Sequence, residues 1–243
     1  MFGVAGLGLS GCATVREFSA RANATPLADP AEAAALSDAE IDRRLEFLTA
    51  RLDAGRRHAA LWQYGWLGVN AAGMIAPAVN AGFDDGTDRD YDIIEASKGA
   101  IGVTYLLVAP MPGRHGADSI RAIPDETHAD KAARLLEAER MLHETALRAD
   151  QRKQWLVHLG NLGLNLAGGI ALFALGNAGK AGLSIGLDTA VGEVQILTAP
   201  WKPEQDWADY RAFVETGHAG AVSTARSWHL VPAGRGLAVA VDF

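Results

Sequence analysis

Apolar and polar positions alternate between two regimes along this chain. Over residues 37–57, Ile41, Leu45, Leu48 and Leu52 recur at helical spacing with Arg and Glu between them, which predicts an amphipathic helix with one buried face. Ser37 stands where it can cap that helix, and Glu40 three residues later would complete a capping box. Residues 59–82 are different: apolar, Gly-rich and free of charge. An acidic loop from Asp84 to Asp92 follows, then a helical segment over about 93–109 that ends at Pro110, and a loop over 111–126.

The same order then recurs. Residues 129–152 read as an amphipathic, charged helix, residues 155–176 as an apolar Gly-rich one, and 184–199 as a shorter segment ending at Pro200. Gly65-x-x-Gly68-x-Asn70-x-x-Gly73 matches Gly160-x-x-Gly163-x-Asn165-x-x-Gly168 at a constant offset of 95, with eight of twelve positions identical between 65 and 76. About one identity is expected by chance at this composition. Downstream, Ala100, Gly102, Leu107, Ala109 and Pro110 match Ala190, Gly192, Leu197, Ala199 and Pro200 at an offset of 90. The expected fold is therefore mainly α. A helical hairpin (long helix, turn, short helix) is present twice, over 37–112 and 127–203, and forms a Gly-rich four-helix core. Residues 204–243 are expected to add a short helix carrying Trp207, Tyr210 and Phe213, stopped by Gly217, and a β-hairpin. Its strands would be 224–231 and 237–243, where Leu237, Val239, Val241 and Phe243 alternate to one face.

Glycine inside a soluble helix costs about 1 kcal/mol against Ala, so the glycines need compensation, and close helix packing is the obvious source. Gly65, Gly68, Gly73, Gly160, Gly163 and Gly168 are the candidate packing positions. Asn70 and Asn165 are candidate polar core residues, lining a site or fixing register by an inter-helix hydrogen bond. Residues 155–176 are long enough to span a bilayer, and Arg152, Lys153 and Trp155 would suit its interface. The companion segments carry Glu95, Lys98, Asp188 and Glu193, which are costly at mid-bilayer. A compact Gly-zippered bundle, soluble or at the membrane surface, is therefore the favoured reading. Its alternative is a membrane-inserted, pore-like protein whose charges face a lumen or pair with one another.

A net charge of −7 excludes a nucleic-acid surface of the usual basic kind, and a single cysteine excludes an internal disulfide. That cysteine, Cys12, follows the small apolar run Val4-Ala5-Gly6-Leu7-Gly8 and closes Leu9-Ser10-Gly11-Cys12. The motif resembles the lipobox of bacterial lipoproteins, an export class rather than a family. The resemblance implies removal of residues 1–11, a basic n-region lying upstream, acylation of Cys12, and a lipidated linker over 12–36. Ala13 in place of Asp implies the outer membrane, facing the periplasm.

Chemistry is sparse. Asp88, Asp90 and Asp92 have spacing that could serve Ca²⁺, but the Gly and Glu of an EF-hand loop are replaced by Ile93 and Gly99. The seven histidines form no zinc spacing, and no nucleophile elbow, P-loop or dinucleotide fingerprint is present. The ending Gly236-x-x-Val239-x-Val241-x-Phe243 is similar to a terminal strand of outer-membrane barrels, although two strands cannot close one. The expectation is a non-enzymatic, lipid-anchored envelope protein. It would have a structural or accessory role, no cofactor beyond the lipid on Cys12, and a membrane, an envelope protein or a second copy as partner. The charged helices 37–57 and 129–152 are the candidate contact surfaces.

Overall fold

The charged stretch 37–57 and the apolar stretch 59–82 join into one helix. In the computed structural model, which describes residues 29–216, 227–233 and 236–242, the chain is mainly helical. Cys12 lies outside the described residues, as do Gly217 and Phe243. Helix α1 (Pro30–Ala35) occupies the end of the expected linker. Asp29 and Pro30, which fall in the expected linker, act instead as N-cap and first helical residue. Ala33 is fully buried.

Helix α2 (Asp38–Asn80) runs 43 residues, about 65 Å at 1.5 Å per residue. The Ser37 hydroxyl accepts from the Glu40 amide at 3.3 Å. The Glu40 carboxylate turns outward to Arg43 and Arg44, so the box closes on one side only. After a turn at 81–85 come α3 (Gly86–Val108), a 3₁₀ turn (Pro112–His115) and the short α4 (Asp118–Arg121). Helix α5 (His128–Arg152) starts with a complete capping box between Thr127 and Asp130. Lys153 and Gln154 break the chain before α6 (Trp155–Ala174), where the first half of the molecule has continuous helix. Gly176, at φ 89°, makes the left-handed turn into α7 (Ala178–Leu197). Helix α8 (Lys202–Thr216) follows, then the antiparallel strands β1 (Ser227–Ala233) and β2 (Gly236–Asp242).

Two parts result. The first half of α2 packs with α5 and α8 into a head. Its core holds Ile41, Leu45, Leu48 and Leu52 against Leu135, Leu142, Tyr210 and Phe213. The charged helices thus turn their apolar faces to each other. Phe47 stacks on Phe213 with ring centroids 5.0 Å apart. Tyr210 donates to the buried Glu139, whose carboxylate lies 4.0 Å from Arg44. Burial pushes that phenol well above the ordinary tyrosine range. The second part is a pair of antiparallel hairpins, residues 59–108 and 155–197. A small cluster of Ala59, Trp62, Leu106, Met111 and Ala199 joins it to the head.

Leu48 is fully buried in the head. We expect Leu48→Ala to destabilise the head by about 2–5 kcal/mol, read by chemical denaturation followed by circular dichroism. Two head histidines give opposite pH dependences. His128 holds Asp38 (2.5 Å) and the Ala34 carbonyl (2.9 Å), and the Asp38 bond raises it above its ordinary 6.5. Its contribution is present below 6.5 and is lost as pH rises through the raised value. His143 is buried against Trp207, and burial lowers it from 6.5. It costs stability as pH falls below 6.5. His128→Gln should flatten the stability profile above 6.5, and His143→Phe should flatten it below.

Candidate functional site

The hairpins are fastened to each other by polar contacts and carry many exposed apolar side chains. Within residues 29–216, large exposed apolar side chains fall only at 61–108 and 155–197: Val69, Ile101, Leu164 and Val191 face the space between the hairpins, and Leu61, Ile75, Val79, Leu107, Trp155, Ile170, Phe173 and Leu183 are among the others. Elsewhere in residues 29–216 no large hydrophobic is exposed. Covering such a face is worth on the order of tens of kcal/mol, while folded domains are stable by only about 5–15 kcal/mol. Among the described residues, Trp155–Ala174 is the one helix long and apolar enough to cross a membrane, and just 17% of that segment is buried. It is not the buried core helix of a globular protein.

Three tiers of polar contact link the hairpins. At the head end, Trp62 Nε1 donates to the Gln195 carbonyl at 3.0 Å and Trp66 Nε1 to Thr198 Oγ1 at 3.1 Å. In the middle, Lys98 on α3 binds Asp188 on α7, Glu95 at 2.8 Å and Ser184 at 2.7 Å. Ser184 donates in turn to Glu95 at 2.7 Å. At the tips, Lys180 pairs with Asp88 at 2.7 Å, and Asn177 donates to the Thr87 carbonyl at 3.2 Å. Glu193 is held by His158 at 2.5 Å and Asn161 at 3.0 Å. Of the four charges that disfavour insertion at the level of sequence, Glu95, Lys98 and Asp188 therefore pair with one another between the hairpins, while Glu193 is hydrogen-bonded within the second hairpin.

Between the hairpins lies a cavity of about 520 Å³. Asn70, Asn161 and Asn165 line it, with Val69, Ile101, Leu164 and Val191 as apolar wall and the Glu95–Lys98–Asp188 group at the far end. Arg152 stands at the head end. It is 4% exposed, with its guanidinium carbon 4.3 Å from the Trp62 ring centroid and 5.4 Å from that of Tyr105. Nη2 donates to the Ala109 carbonyl at 3.0 Å, while Nε is buried without a partner. A buried donor left unpaired costs about 1–3 kcal/mol. Burial draws the guanidinium below its ordinary value, but Arg remains a cation. Among the described residues no carboxylate lies within ion-pair distance of it.

The glycines divide. At Gly65, Gly68, Gly160 and Gly163 an added Cβ would meet open space, so among the described residues no helix packs against the Cβ side of these candidate positions. Gly73 offers its backbone to Gly99, where a Cβ would fall 2.7 Å from the Gly73 carbonyl carbon. Gly168 faces Lys98, with 3.2 Å from a Cβ to the lysine stem. The tightest cradles lie on the short helices. A Cβ at Gly102 would fall 1.9 Å from Asn70 Oδ1, and one at Gly192 would fall 2.0 Å from Asn161 Oδ1. Asn70 and Asn165 do not bond each other. Each donates to the carbonyl one turn back on its own helix, Trp66 and Asn161, at 2.8 and 3.0 Å. The candidate Ca²⁺ set is not assembled: Asp88 pairs with Lys180 and Asp92 is buried against Asp84. Among the described residues no three metal-type side chains converge. Sequence reasoning placed Arg152 only at an interface and missed the Trp62–Tyr105 cage around it. Trp62 and Tyr105 are 43 residues apart, and no local signal joins them.

Lys98 has an exposure of 10% and separates two carboxylates. Lys98→Met should destabilise the hairpin pair by about 3 kcal/mol, because it leaves two neighbouring carboxylates without their shared cation. Adding Glu95→Gln and Asp188→Asn should recover most of that loss in thermal unfolding. No recovery would mean that the lysine acts by packing rather than charge. No protein-family model, curated protein or solved structure matches the chain, so its functional reading rests on this geometry.

Proposed function

We propose that this is a lipid-anchored protein of the bacterial cell envelope whose two Gly-rich hairpins sit in a membrane while the charged head stays in water. The observation that carries the reading is the confinement of exposed large apolar side chains to residues 61–108 and 155–197. A soluble monomer rarely leaves a contiguous apolar face of that size bare. Helices of 20 and 23 residues span about 30–35 Å, which matches the hydrocarbon core of a bilayer. The pairing of Lys98 with Asp188 and Glu95 removes the main electrostatic objection to insertion, since intramembrane charges are tolerated when they face one another inside a bundle. The lipobox-like Leu9-Ser10-Gly11-Cys12 supplies the export signal and the acyl anchor, in the outer membrane by the rule drawn from Ala13.

The role is structural or accessory, without catalysis. Gly65, Gly68 and Gly163 present small residues away from the other helices, the kind of surface on which a helix of another envelope protein or a second copy approaches closely. The hairpins are read as copies of one unit. Asn70 and Asn165 make the same bond one turn back, and Gly102 and Gly192 each receive an asparagine from the long helix. The second copy has slipped by one turn, so that Asn161 rather than Asn165 meets Gly192. The paired strands at the end form a small β-hairpin appendage to this helical core. The second reading, a pore or channel-like protein, is favoured by the inter-hairpin cavity but disfavoured by the ion pairs that close its far end.

The experiment compares cells making the full chain, Cys12→Ala, and a version starting at Ala13 directed to the same compartment. Labelled palmitate should enter the full chain and not Cys12→Ala. The version starting at Ala13 should resist a carbonate wash and need detergent. A soluble, monodisperse product without detergent would overturn insertion and leave the lipid as the only attachment.

A further inference from the structure

We infer that the inter-hairpin cavity is a binding site for an amphiphile with one anionic head, a carboxylate or a phosphate monoester, and an apolar body, the head pairing with Arg152. Three observations meet there. Arg152 is a buried cation with no acidic partner among the described residues and with its Nε unsatisfied. The guanidinium carbon lies over the rings of Trp62 and Tyr105, contacts that hold the cation without using up its N–H groups. That planar fork suits the two oxygens of a carboxylate or phosphate better than a point anion.

The rest of the cavity specifies the body of the ligand. Its ionic groups at the far end already satisfy one another, Lys98 lying between Asp188 and Glu95. The demand for an anion is therefore at the Arg152 end alone. Val69, Ile101, Leu164 and Val191 line the space between. Tyr105, whose ring lies beside Arg152, and Glu95 are ten residues apart on α3, so the two ends lie about 15 Å apart. The 520 Å³ volume lies within the range of small-molecule sites. Arg152 ends α5, where the charged head gives way to the apolar hairpins, so a charged group would sit at that boundary and an alkyl chain below it. The inference goes beyond membrane insertion and does not depend on what covers the outer face of the hairpins.

The test uses the full chain purified in a neutral detergent and titrated with dodecanoate, dodecyl phosphate and dodecanol, with native mass spectrometry reading the bound count. One anion per chain is expected, with dodecanol bound about tenfold or more weakly. Arg152→Gln should reduce the anions to the level of the alcohol, while Arg152→Lys retains part of the preference. Gly160→Leu puts an isobutyl group into the cavity at a lining position where an added Cβ meets nothing within 4 Å, and should abolish binding of all three probes with helicity intact. Preference for dodecanoate would assign a fatty-acid type of ligand, and preference for dodecyl phosphate a phospholipid type. The inference is overturned if dodecanol binds as tightly as the anions, if folded Arg152→Gln keeps full anion affinity, or if Gly160→Leu still binds. Should Arg152→Gln not fold, the Gly160→Leu and dodecanol results decide alone. A chain that passes these tests yet proves soluble without detergent would refute insertion and leave the site standing.

Discussion

The hairpin pair depends on one ion-pair group, Lys98 held between Asp188 and Glu95 with Ser184 bridging. These charges sit on helices whose other faces are apolar and bare. Placed outward among such side chains, they would be poorly solvated. Placed inward and mutually paired, they give the two hairpins a specific register that apolar contact alone would not set. The close approach of the helices follows from the same arrangement. Gly168 leaves room for the Lys98 stem, and Gly99 allows α3 to lie against the backbone of Gly73 and Met74.

The head is built on the opposite principle. Its apolar residues point inward, and its surface charges form local pairs such as Arg140 with Glu137 and Glu144, each worth little in water. Helix α2 passes through both parts without a break, so the apolar hairpins are fixed to the head by covalent continuity as well as by the Trp62–Leu106–Met111 cluster. Gln63 strengthens that joint by donating to the Leu106 carbonyl and accepting from the Met111 amide. In the second hairpin the chain is interrupted at Lys153–Gln154, and His158, aligned with Gln63, ties its long helix to Glu193 instead. Similar sequence thus makes similar fastenings with different chemistry.

Much of the helical layout was legible because it depends on local pattern. Ile41, Leu45, Leu48 and Leu52 have the period of a helix face, and all four are in the head core. Ser37 and the prolines mark boundaries by their own backbone preferences. Other features were not legible because they depend on residues far apart in the chain. The glycine motif is evident in sequence, yet Gly65, Gly68, Gly160 and Gly163 face open space while Gly102 and Gly192 carry the tight contacts. Identity alone cannot say which side of a Gly-rich helix another helix will choose.

The periodicity, the approximate helix ends, the internal similarity at 65–76 and 160–171, and the segregation of charged from apolar stretches are all present in the chain before it folds. These follow from side-chain spacing and backbone propensity, which act over a few residues. The tertiary structure decided that Lys98 would meet Asp188 across 90 residues, that Asp88 would pair with Lys180 rather than join Asp90 and Asp92, and that Arg152 would end in a cage of Trp62 and Tyr105. Each outcome is a choice of partner for a charged group leaving water. That choice is set by which groups the packing brings within a few ångströms, because the energy of a buried charge depends on its nearest neighbours far more than on its place in the chain.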